Sequence, residues 1–592
     1  MADETGPDPT RTPVAPWGPT PAAPGLRPDR SAGPLPPPPA ELPPAGPDEV
    51  ALLIDNRPVV VKKGTTVLQA AAQTGVLVPH YCWHPGLSIA GNCRMCLVEI
   101  EKMPKLQIGC ATTVSPGMSV KTGSDRVRQT RQGIQEFLLI NHPLDCPICD
   151  QAGECRLQQY ESDYGKGFSR FDEEKVHHPK RYDIGRRVMF DAERCIKCTR
   201  CVRFTDEISR THELTLHDRG DHAIIGTFPG KALDNAYSGC TVDICPVGAL
   251  TWKPFRFKAR AWFLKNTPSV CAGCARGCNV DVATWRDRIH RMTPRVNMEV
   301  NAYWMCDEGR GSYASLYDRP RFERPILRAG HAAGPHGPAD PDAALARAAE
   351  LLRGVERGSG KDALAAIVSA RLTVEDLYMA RRVLVETLGV PRVALPPHEA
   401  GEDDALLIRR DRTPNGRGAQ ALGLGAPSAA RMKELAGDLA AGRIKGLIVV
   451  GEDPVGEGLL PAAALETLEA LVVIDAWKSP TVKAAHAAFP ACGYGETDGV
   501  VVNVQGRAQR LAAAVRPRGE SDPAWRILAA LGRRLGLAGN WRDAAAVFDE
   551  TAARVPAFAG LSHRLLGRAG VPIAGAPAPG ITIAPGAATG EA

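Results

Sequence analysis

The stretch Cys195-Ile-Lys-Cys-Thr-Arg-Cys201 and the later pair Cys245-Pro246 decide how this 592-residue chain folds. Tandem runs of the form C-x2-C-x2-C-x3-C-P hold two iron–sulfur clusters, and the fourth cysteine of each run binds the other cluster. Here the fourth position of the first run is Thr205. The second run keeps its last cysteine but has lost the three earlier ones, at Asn235, Ser238 and Thr241. One complete set of four remains, which predicts one [4Fe–4S] cluster on Cys195, Cys198, Cys201 and Cys245.

Three further sets of candidate ligands flank this central set. Their spacings are C-x10-C-x2-C-x13-C, H-x3-C-x2-C-x5-C and C-x2-C-x3-C-x27-C. The first, second and last sets are Cys82, Cys93, Cys96 and Cys110; His142, Cys146, Cys149 and Cys155; and Cys271, Cys274, Cys278 and Cys306. Of the seventeen cysteines, Cys240 and Cys492 are left over. Because an iron–sulfur cluster takes about four ligands, the four sets predict four clusters.

The first set lies among strand-like segments, and Gly86 and Gly91 allow the backbone to wrap closely around a metal. Its spacing differs from that of plant-type ferredoxins, which have four residues between the first two ligands. We interpret it as a [2Fe–2S] site, with structural zinc as the alternative. In the second set His142 is either the fourth ligand or a surface histidine. A neutral imidazole in place of a thiolate raises the potential of a cluster.

The bulk composition is compatible with several globular domains and gives no sign of nucleic-acid binding, since the net charge of +6 is spread over a long chain. Cysteines in closely spaced C-x2-C motifs indicate metal binding in a reducing compartment rather than disulfide bonds. The N-terminus, Met1-Ala-Asp-Glu-Thr, does not resemble a signal peptide. No segment approaches the roughly 20 apolar residues of a membrane span, so we expect membrane association only through partners.

The C-terminal half changes character and predicts a parallel α/β domain. Buried-strand candidates alternate with amphipathic helices there. The strand candidates begin at Ala365, Leu447 and Leu471, and the helix candidates are 374–388 and 429–439. Both ends of the chain are rich in Pro, Gly and Ala, a composition typical of disordered segments. Before the α/β domain, strand-like pieces at Ala51–Ile54 and Pro58–Val61 and a helix from Thr66 predict a small ubiquitin-like domain.

Together these motifs resemble the large iron–sulfur subunits of respiratory NADH–quinone oxidoreductase, the G subunits of the peripheral arm of bacterial complex I. The resemblance covers about residues 50–510 and rests on Tyr81-Cys-Trp-His-Pro, Gly91-Asn-Cys-Arg-Met-Cys, Asn141-His-Pro-Leu-Asp-Cys-Pro-Ile-Cys, Gly153-Glu-Cys and Asp243-Ile-Cys-Pro-Val-Gly. The last set resembles the [4Fe–4S] site that opens molybdopterin oxidoreductases. The resemblance implies a multidomain α+β and α/β fold. After a disordered Pro-rich arm (1–48), three cluster-binding parts follow: a ubiquitin-like [2Fe–2S] ferredoxin domain (49–125), a helical segment with the one-His, three-Cys cluster (126–167) and a [4Fe–4S] ferredoxin-like domain (168–262). The chain continues with a further [4Fe–4S] domain (263–320), a truncated, degenerate molybdopterin-oxidoreductase-like domain (321–570) and a disordered tail (571–592).

By the same resemblance, the chain relays single electrons from an NADH/FMN-binding subunit toward quinone, through one [2Fe–2S] and three [4Fe–4S] clusters. The last cluster is expected to lie off that route. The expected partners are the NADH/FMN-binding and other peripheral-arm subunits of complex I, on the cytoplasmic side of the bacterial inner membrane. The chain would be part of a quinone-reducing translocase without carrying a complete active site itself.

The alternative is the catalytic subunit of an NAD-linked molybdenum formate dehydrogenase, which shares the N-terminal motifs. Three features disfavour it. The second ferredoxin-type cluster is missing, Glu308 stands where a relay lysine is expected, and Cys492 lies too late in the chain to serve as a metal ligand. We therefore expect no bound molybdopterin and a structural role for the α/β domain. The segment Gly451-Glu-Asp-Pro454 is too weak a motif to predict a nucleotide site.

Overall fold

The computed structural model describes residues 36–39, 41–328 and 336–576. The chain divides into two compact units, one ending at Leu264 and the other beginning at Lys265. Most of the predicted arm (residues 1–35 and 40) lies outside the described residues, as do residues 577–592 of the predicted tail. Within the described ranges, no helix combines the length and the apolar character that crossing a membrane requires.

The first unit begins with a five-stranded mixed sheet of order β2-β1-β5-β3-β4. A helix, α1, packs on it through Val67, Leu68 and two alanines. Thr66 caps this helix and Gln69 reaches back to it, so both satisfy N–H groups of the first turn. The elements are β1 (Glu49–Ile54), β2 (Arg57–Lys62), α1 (Val67–Gln73), β3 (Leu97–Ile100), β4 (Gln107–Ile108) and β5 (Ser119–Lys121). The predicted hairpin and helix are present.

The rest of the first unit consists of short elements around two helices. A three-stranded sheet of order β10-β7-β6 and a β8-β9 hairpin are the only sheets described between Tyr182 and Trp252. The elements are α2 (Asp125–Leu139), α3 (Arg156–Tyr164), β6 (Tyr182–Asp183), β7 (Val188–Phe190), α4 (Arg200–Arg203), β8 (Leu214–His217), β9 (Ile224–Thr227), α5 (Ser238–Ile244) and β10 (Leu250–Trp252). Such short segments depend on metal ligation more than on a large apolar core.

The second unit opens with an antiparallel sheet of order β11-β12-β13, followed by two short helices. The residue before β12 is Cys278, and Cys306 caps the first of the helices. The elements are β11 (Lys265–Val270), β12 (Asn279–Trp285), β13 (Arg288–Pro294), α6 (Asp307–Gly311) and α7 (Ser315–Asp318). This arrangement places the last ligand set at one end of the sheet.

A seven-stranded sheet of order β15-β14-β20-β19-β18-β16-β17 forms the centre of the second unit. Strands β17, β16, β18, β19 and β20 are parallel, and β14 pairs antiparallel with β20 at one side. Alternate residues of the central strands point into two separate apolar cores, so these strands are buried on both faces. The elements are β14 (Ile326–Arg328), β15 (His336–Pro338), α8 (Pro341–Ser359), β16 (Leu364–Val368), α9 (Val374–Ala380), β17 (Arg392–Ala394), α10 (Gly416–Ala421), α11 (Ala429–Ala440), β18 (Gly446–Val450), α12 (Ala463–Glu466), β19 (Ala470–Asp475), α13 (Pro480–Ala484) and β20 (Ala487–Pro490).

Two details differ from the sequence prediction. The helix expected over 374–388 is α-helical only to Ala380 and continues as a π-helix over Arg381–Thr387. The sequence predicts a disordered tail from residue 571, but Val571–Pro572 forms a strand beside Arg507 and Ala508. The remaining elements are β21 (Gly499–Val502), β22 (Arg507–Leu511), α14 (Ala524–Arg534), α15 (Ala544–Arg554), α16 (His563–Leu566) and β23 (Val571–Pro572).

Candidate metal centres

The first ligand set lies at the edge of the apolar core of the five-stranded sheet, with Cys96 and Cys110 as part of that core. Its thiols associate in pairs. A hydrogen bond from the Cys93 thiol lowers the pKa of Cys82 to about 5, and a bond from Cys110 likewise lowers the pKa of Cys96. The backbone N–H of Cys82 also donates to the Cys93 sulfur at 3.5 Å. Two pairs of sulfurs suit a [2Fe–2S] cluster, in which each iron takes two protein ligands.

The central set surrounds a small cavity that is lined by all four of its cysteines and by apolar side chains such as Phe190 and Ile225. The loop wraps tightly around this space, since Lys197 and Thr199 both have left-handed φ angles, of 54° and 60°. The Lys197 N–H donates to the Cys195 sulfur at 3.4 Å. Burial raises the pKa of Cys198 to about 11 and raises that of the three other thiols as well. Thiolates in such a place need a metal to compensate their charge.

The positions of the missing cluster are filled by protein hydrogen bonds. The Thr241 hydroxyl donates to the Ser238 carbonyl at 2.6 Å, and Thr205 donates to the Val202 carbonyl at 2.9 Å. Asn235 donates through its backbone N–H to Glu213 at 3.0 Å. Thr205, Thr241 and Ser238 are at most 1% exposed. The two threonine hydroxyls thus donate to backbone carbonyls, and Asn235 to Glu213, at positions where the tandem motif has cysteines. That a single cluster is bound here stays a prediction.

The second set is the most exposed of the four. Cys149 is buried, Cys155 is half-buried and Cys146 is exposed. Burial, with a smaller effect of the two other cysteines, raises the pKa of Cys155 to about 12. The three sulfurs therefore lie near one another. His142 follows α2, and burial together with Arg194 lowers its pKa to about 4, which keeps the imidazole neutral as a metal ligand must be. Its role as the fourth ligand stays a prediction.

The last set lines a small cavity with all four of its cysteines. Backbone N–H groups point at two of the sulfurs: Gly273 donates to Cys271 at 3.4 Å and Gly309 to Cys306 at 3.3 Å. A Cβ atom at Gly309 would lie 3.0 Å from the Cys271 sulfur. Burial raises the pKa of Cys271, Cys278 and Cys306. The donor set and the glycines fit a cluster that comes close to the backbone.

Two arginines of α4 connect the first set with the central set. Arg203 donates to the carbonyl oxygens of both Cys82 and Cys198. Arg200 is buried and donates to the carbonyls of Trp83 and Ile244, which neighbour Cys82 and Cys245 in the chain. Burial lowers the pKa of Arg200 to about 10. The sequence predicts no role for either arginine, because all their partners named here except Cys198 lie more than 40 residues away in the chain.

Gly248 connects the central set with the second set. It follows Cys245 by three residues, and a Cβ atom built on it would lie 2.2 Å from the Cys149 sulfur. Beside it, Arg194 donates to Asp145 at 2.8 Å, which joins the residues that precede Cys195 and Cys146. The Arg156 N–H donates to the Pro246 carbonyl at 3.0 Å. The loops that hold the two sets are therefore in direct contact.

Three of the leftover or substituted positions have defined surroundings. Cys240 is completely buried within α5. Glu308, at the expected lysine position, forms an ion pair of 3.0 Å with Arg412. Burial raises the pKa of Cys492, which favours an uncharged thiol there. None of these observations gives the α/β domain an electron relay or a thiolate ligand.

Five family models match successive parts of the chain. In order they describe a 2Fe-2S iron-sulfur cluster binding domain (residues 47–125), the NADH-ubiquinone oxidoreductase-G iron-sulfur binding region (131–170), the ferredoxin-like domain of NADH-quinone oxidoreductase subunit 3 (185–251), the Fe4S4 domain of molybdopterin oxidoreductases (264–318) and molybdopterin oxidoreductase (412–534). The predicted fold class is thereby confirmed. The chain contains [2Fe–2S]- and [4Fe–4S]-binding domains and part of a molybdopterin-oxidoreductase domain.

Curated relatives carry consistent names. The G subunit of NADH-quinone oxidoreductase from Rickettsia conorii is 42% identical over 335 residues, which are 57% of this chain and 49% of the relative. The mitochondrial 78 kDa subunit of NADH-ubiquinone oxidoreductase from Neurospora crassa is 42% identical over 59% of this chain and 46% of its own length. The mitochondrial iron-sulfur protein 1 of NADH dehydrogenase from Solanum tuberosum is 45% identical, over 48% and 38%. The chain thus spans about half the length of the curated relatives it matches.

Proposed function

We propose that this chain, a homologue of the large iron–sulfur (G) subunits of NADH-quinone oxidoreductase, relays single electrons from an NADH/FMN-binding subunit toward quinone. One observation carries the proposal. Three complete ligand sets lie in the first unit, and residues next to the ligands of one set contact those of the next. Such a row of closely connected iron–sulfur centres suits electron transfer, whereas a structural scaffold would need no contacts between its metal sites.

The proposed cofactors are one [2Fe–2S] cluster on the first set and [4Fe–4S] clusters on the second, central and last sets. Bound clusters supply the redox chemistry. The protein contributes the fifteen thiolates and His142, N–H groups directed at sulfur, and buried surroundings that control solvent access, all of which adjust cluster potentials.

We further propose that electrons pass from the first set through the central set to the second. The Arg203 guanidinium joins carbonyls of the first and central sets, and Gly248 places the central loop against Cys149 of the second set. The second set is also the one with an exposed cysteine, Cys146, which favours it as the exit toward a partner protein. The proposed partners are the peripheral-arm subunits of complex I on the cytoplasmic side of the membrane.

The α/β domain has, in this proposal, no bound molybdopterin. The Glu308–Arg412 ion pair occupies the position at which a lysine would relay electrons to a pterin. The formate dehydrogenase alternative is accordingly not favoured, since it requires that relay together with a protein ligand for molybdenum.

Metal analysis of the anaerobically purified chain tests the cluster assignment. One [2Fe–2S] and three [4Fe–4S] clusters give about fourteen irons per chain and as much acid-labile sulfide. A content of about four zinc ions, with little iron and no sulfide, would contradict the proposal and favour a structural scaffold.

Addition of NADH tests the relay. Alone, the chain should remain oxidised, because no NADH or flavin site is recognisable in it. Co-purified with its NADH/FMN-binding partner, it should show EPR signals of reduced clusters within the mixing time. Reduction of the isolated chain by NADH, or failure of reduction in the complex, would refute the assigned place in the electron path.

A further inference from the structure

Three side chains of the second unit converge at the carboxyl edge of its seven-stranded sheet. His398 lies in the loop after β17, and Glu452 and Glu457 follow β18. Both strands run parallel to β16, so their following loops leave the sheet at the same edge. One donor atom from each of the three residues lies within 4.8 Å of the others. The fold thus brings together a nitrogen donor and two carboxylates from positions more than fifty residues apart in the chain.

The geometry of the three groups is tight. The His398 Nε2 atom lies 2.9 and 3.1 Å from the two carboxylate oxygens of Glu452. The Nδ1 atom of the same ring lies 3.8 Å from the Oε2 atom of Glu457. The Glu452 side chain is 0% exposed, that of His398 10% and that of Glu457 33%. The cluster is therefore buried on one side and open to solvent on the other, through Glu457.

Two carboxylates share one imidazole and one partly exposed guanidinium at this edge. The guanidinium is that of Arg371, which lies 3.6 Å from the other oxygen of Glu457. On the neighbouring strand, Asp475 is 4% exposed, and its Oδ2 atom finds no hydrogen-bond partner within the described residues. The backbone N–H of Gly451 donates to the Ile474 carbonyl, which pairs these two positions on neighbouring strands. Glu452 and Asp475 are the residues that directly follow them in the chain. A buried carboxylate such as Glu452 needs a positive or hydrogen-bonding partner, and a bound cation would add one.

We propose that His398, Glu452 and Glu457 bind one divalent transition-metal ion of the zinc or manganese class. Imidazole with carboxylate donors suits such ions, whereas Mg²⁺ and Ca²⁺ prefer all-oxygen sites. Ligand bonds to zinc are about 2.0–2.2 Å long, which puts two donors on one ion about 3.0–3.5 Å apart. The distance of 3.1 Å between Nε2 and the Oε2 atom of Glu452 lies within this range, and that of 2.9 Å to Oε1 lies just below it. Water would complete the coordination on the exposed side.

The site gives a role to the segment Gly451-Glu-Asp-Pro454, which the sequence left without a function. Gly451 has a φ of 69° and starts the turn that presents Glu452 to the imidazole. A bound ion would cross-link the loops after β17 and β18 in addition to the direct contact between His398 and Glu452. An ion that binds only the folded state stabilises that state, so the bound ion would stabilise the loops at the carboxyl edge of this sheet.

Zinc retention by the purified full chain, with its clusters intact, tests the proposal. The protein is equilibrated with Zn²⁺ and dialysed against metal-free buffer, and zinc and iron are determined in the same sample, so that zinc in damaged cluster sites is recognised by lost iron. We expect one zinc per chain at unchanged iron in the parent and in the control Glu466→Gln, an exposed glutamate of the same domain. Zinc retention should be lost in His398→Ala and should weaken at least tenfold in Glu457→Gln.

The Glu457→Gln variant controls for misfolding, because Glu457 is the most exposed of the three proposed ligands and its substitution should disturb the fold least. The rise in Tm on adding Zn²⁺ is measured alongside and should be present in the parent and the control but absent in His398→Ala. A parent that retains no zinc at intact iron content would overturn the proposal and leave a plain His398–Glu452 ion pair. Equal zinc retention in parent, His398→Ala and Glu457→Gln would also overturn it. Neither result bears on the iron–sulfur clusters of the first unit.

Discussion

Substitution of Gly248 by alanine should abolish the second cluster while sparing the central one. The added Cβ atom would lie 2.2 Å from the Cys149 sulfur, whereas nonbonded heavy atoms rest about 3.5 Å or more apart. The sulfur must therefore move by about 1.3 Å. Metal–ligand distances tolerate about 0.2 Å, so the displacement is roughly six times larger than a cluster bond allows. The other near atoms are Gln151 Cβ at 3.1 Å and Arg194 Cδ at 3.8 Å, and neither belongs to the central set.

A thiol that binds no metal can rotate away at little cost, so the variant should fold normally and lose only its ligand geometry. We expect about four irons and four sulfides fewer per chain, loss of one EPR signal on reduction, and a Cys149 thiol that reacts with an alkylating reagent. The stability of the second unit to urea should change little, because it holds no ligand of this set. This outcome separates an effect on the cluster from an effect on folding.

Gly133→Ala is the matched control. Gly133 lies within α2, and a Cβ atom there meets nothing within 4 Å. The control should keep its full iron content and gain about 0.5–1 kcal/mol in stability, as expected for glycine to alanine in a helix. If Gly248→Ala retained the iron content and all EPR signals of the parent, Cys149 would not ligate from its position in this structure, and the contact between the two loops would not be what we describe.

Three further predictions address single residues. His142→Cys should keep a cluster at the second site but lower its potential, because an added thiolate charge stabilises the oxidised form; redox-titrated EPR signals identical to those of the parent would exclude His142 as a ligand. Cys306→Ser removes one thiolate ligand but can keep the hydrogen bond from the Gly309 N–H at the start of α6, so it should fold and yet lose the last cluster, about four irons. NADH-to-quinone turnover per assembled complex should persist. Loss of turnover at normal subunit content would place that cluster on the electron path. Asp475→Asn tests a buried carboxyl whose pKa is raised by burial to about 7, above its usual 3.8. Because the folded state binds this proton more tightly than the unfolded state, the stabilisation by the protonated carboxyl is complete below pH 4 and is lost as the pH rises through 7. Between pH 5 and 8 the parent should lose about 2–3 kcal/mol of unfolding free energy relative to the variant. Urea-unfolding free energies of parent and variant that depend on pH in the same way would contradict this.

Much of the local structure could be predicted from the sequence. The buried strands around Ala365, Leu447 and Leu471 and the capped helix after Thr66 are where periodicity and capping place them, because these signals are local. The cysteine sets could likewise be grouped by spacing. The ferredoxin-type pattern predicts which positions lack a second cluster, and in the structure Thr205 and Thr241 at these positions donate hydrogen bonds to backbone carbonyls.

The contacts between sets could not be predicted. Arg203 lies 121 residues from Cys82, and nothing in the neighbouring sequence marks its guanidinium as a link. The missing Cβ atom at Gly248 has its reason in Cys149, about a hundred residues earlier. The change from α- to π-helix after Ala380 depends on packing as well, since the helical periodicity continues through it. His398 and Glu452 meet only because parallel strands end at one edge.

The buried guanidinium of Arg200 has a consequence for how this protein matures. A cation withdrawn from water is tolerated best beside negative charge, and loaded clusters with their thiolates supply that charge close to the carbonyls it bonds. Without that negative charge, burial of the cation costs more free energy, although it still bonds to carbonyls of both loops. Insertion of the first cluster therefore lowers the cost of closing the loop that receives the next. Biogenesis should then proceed cooperatively, with few half-filled chains, and a defect in either cluster should expose both loops to proteolysis.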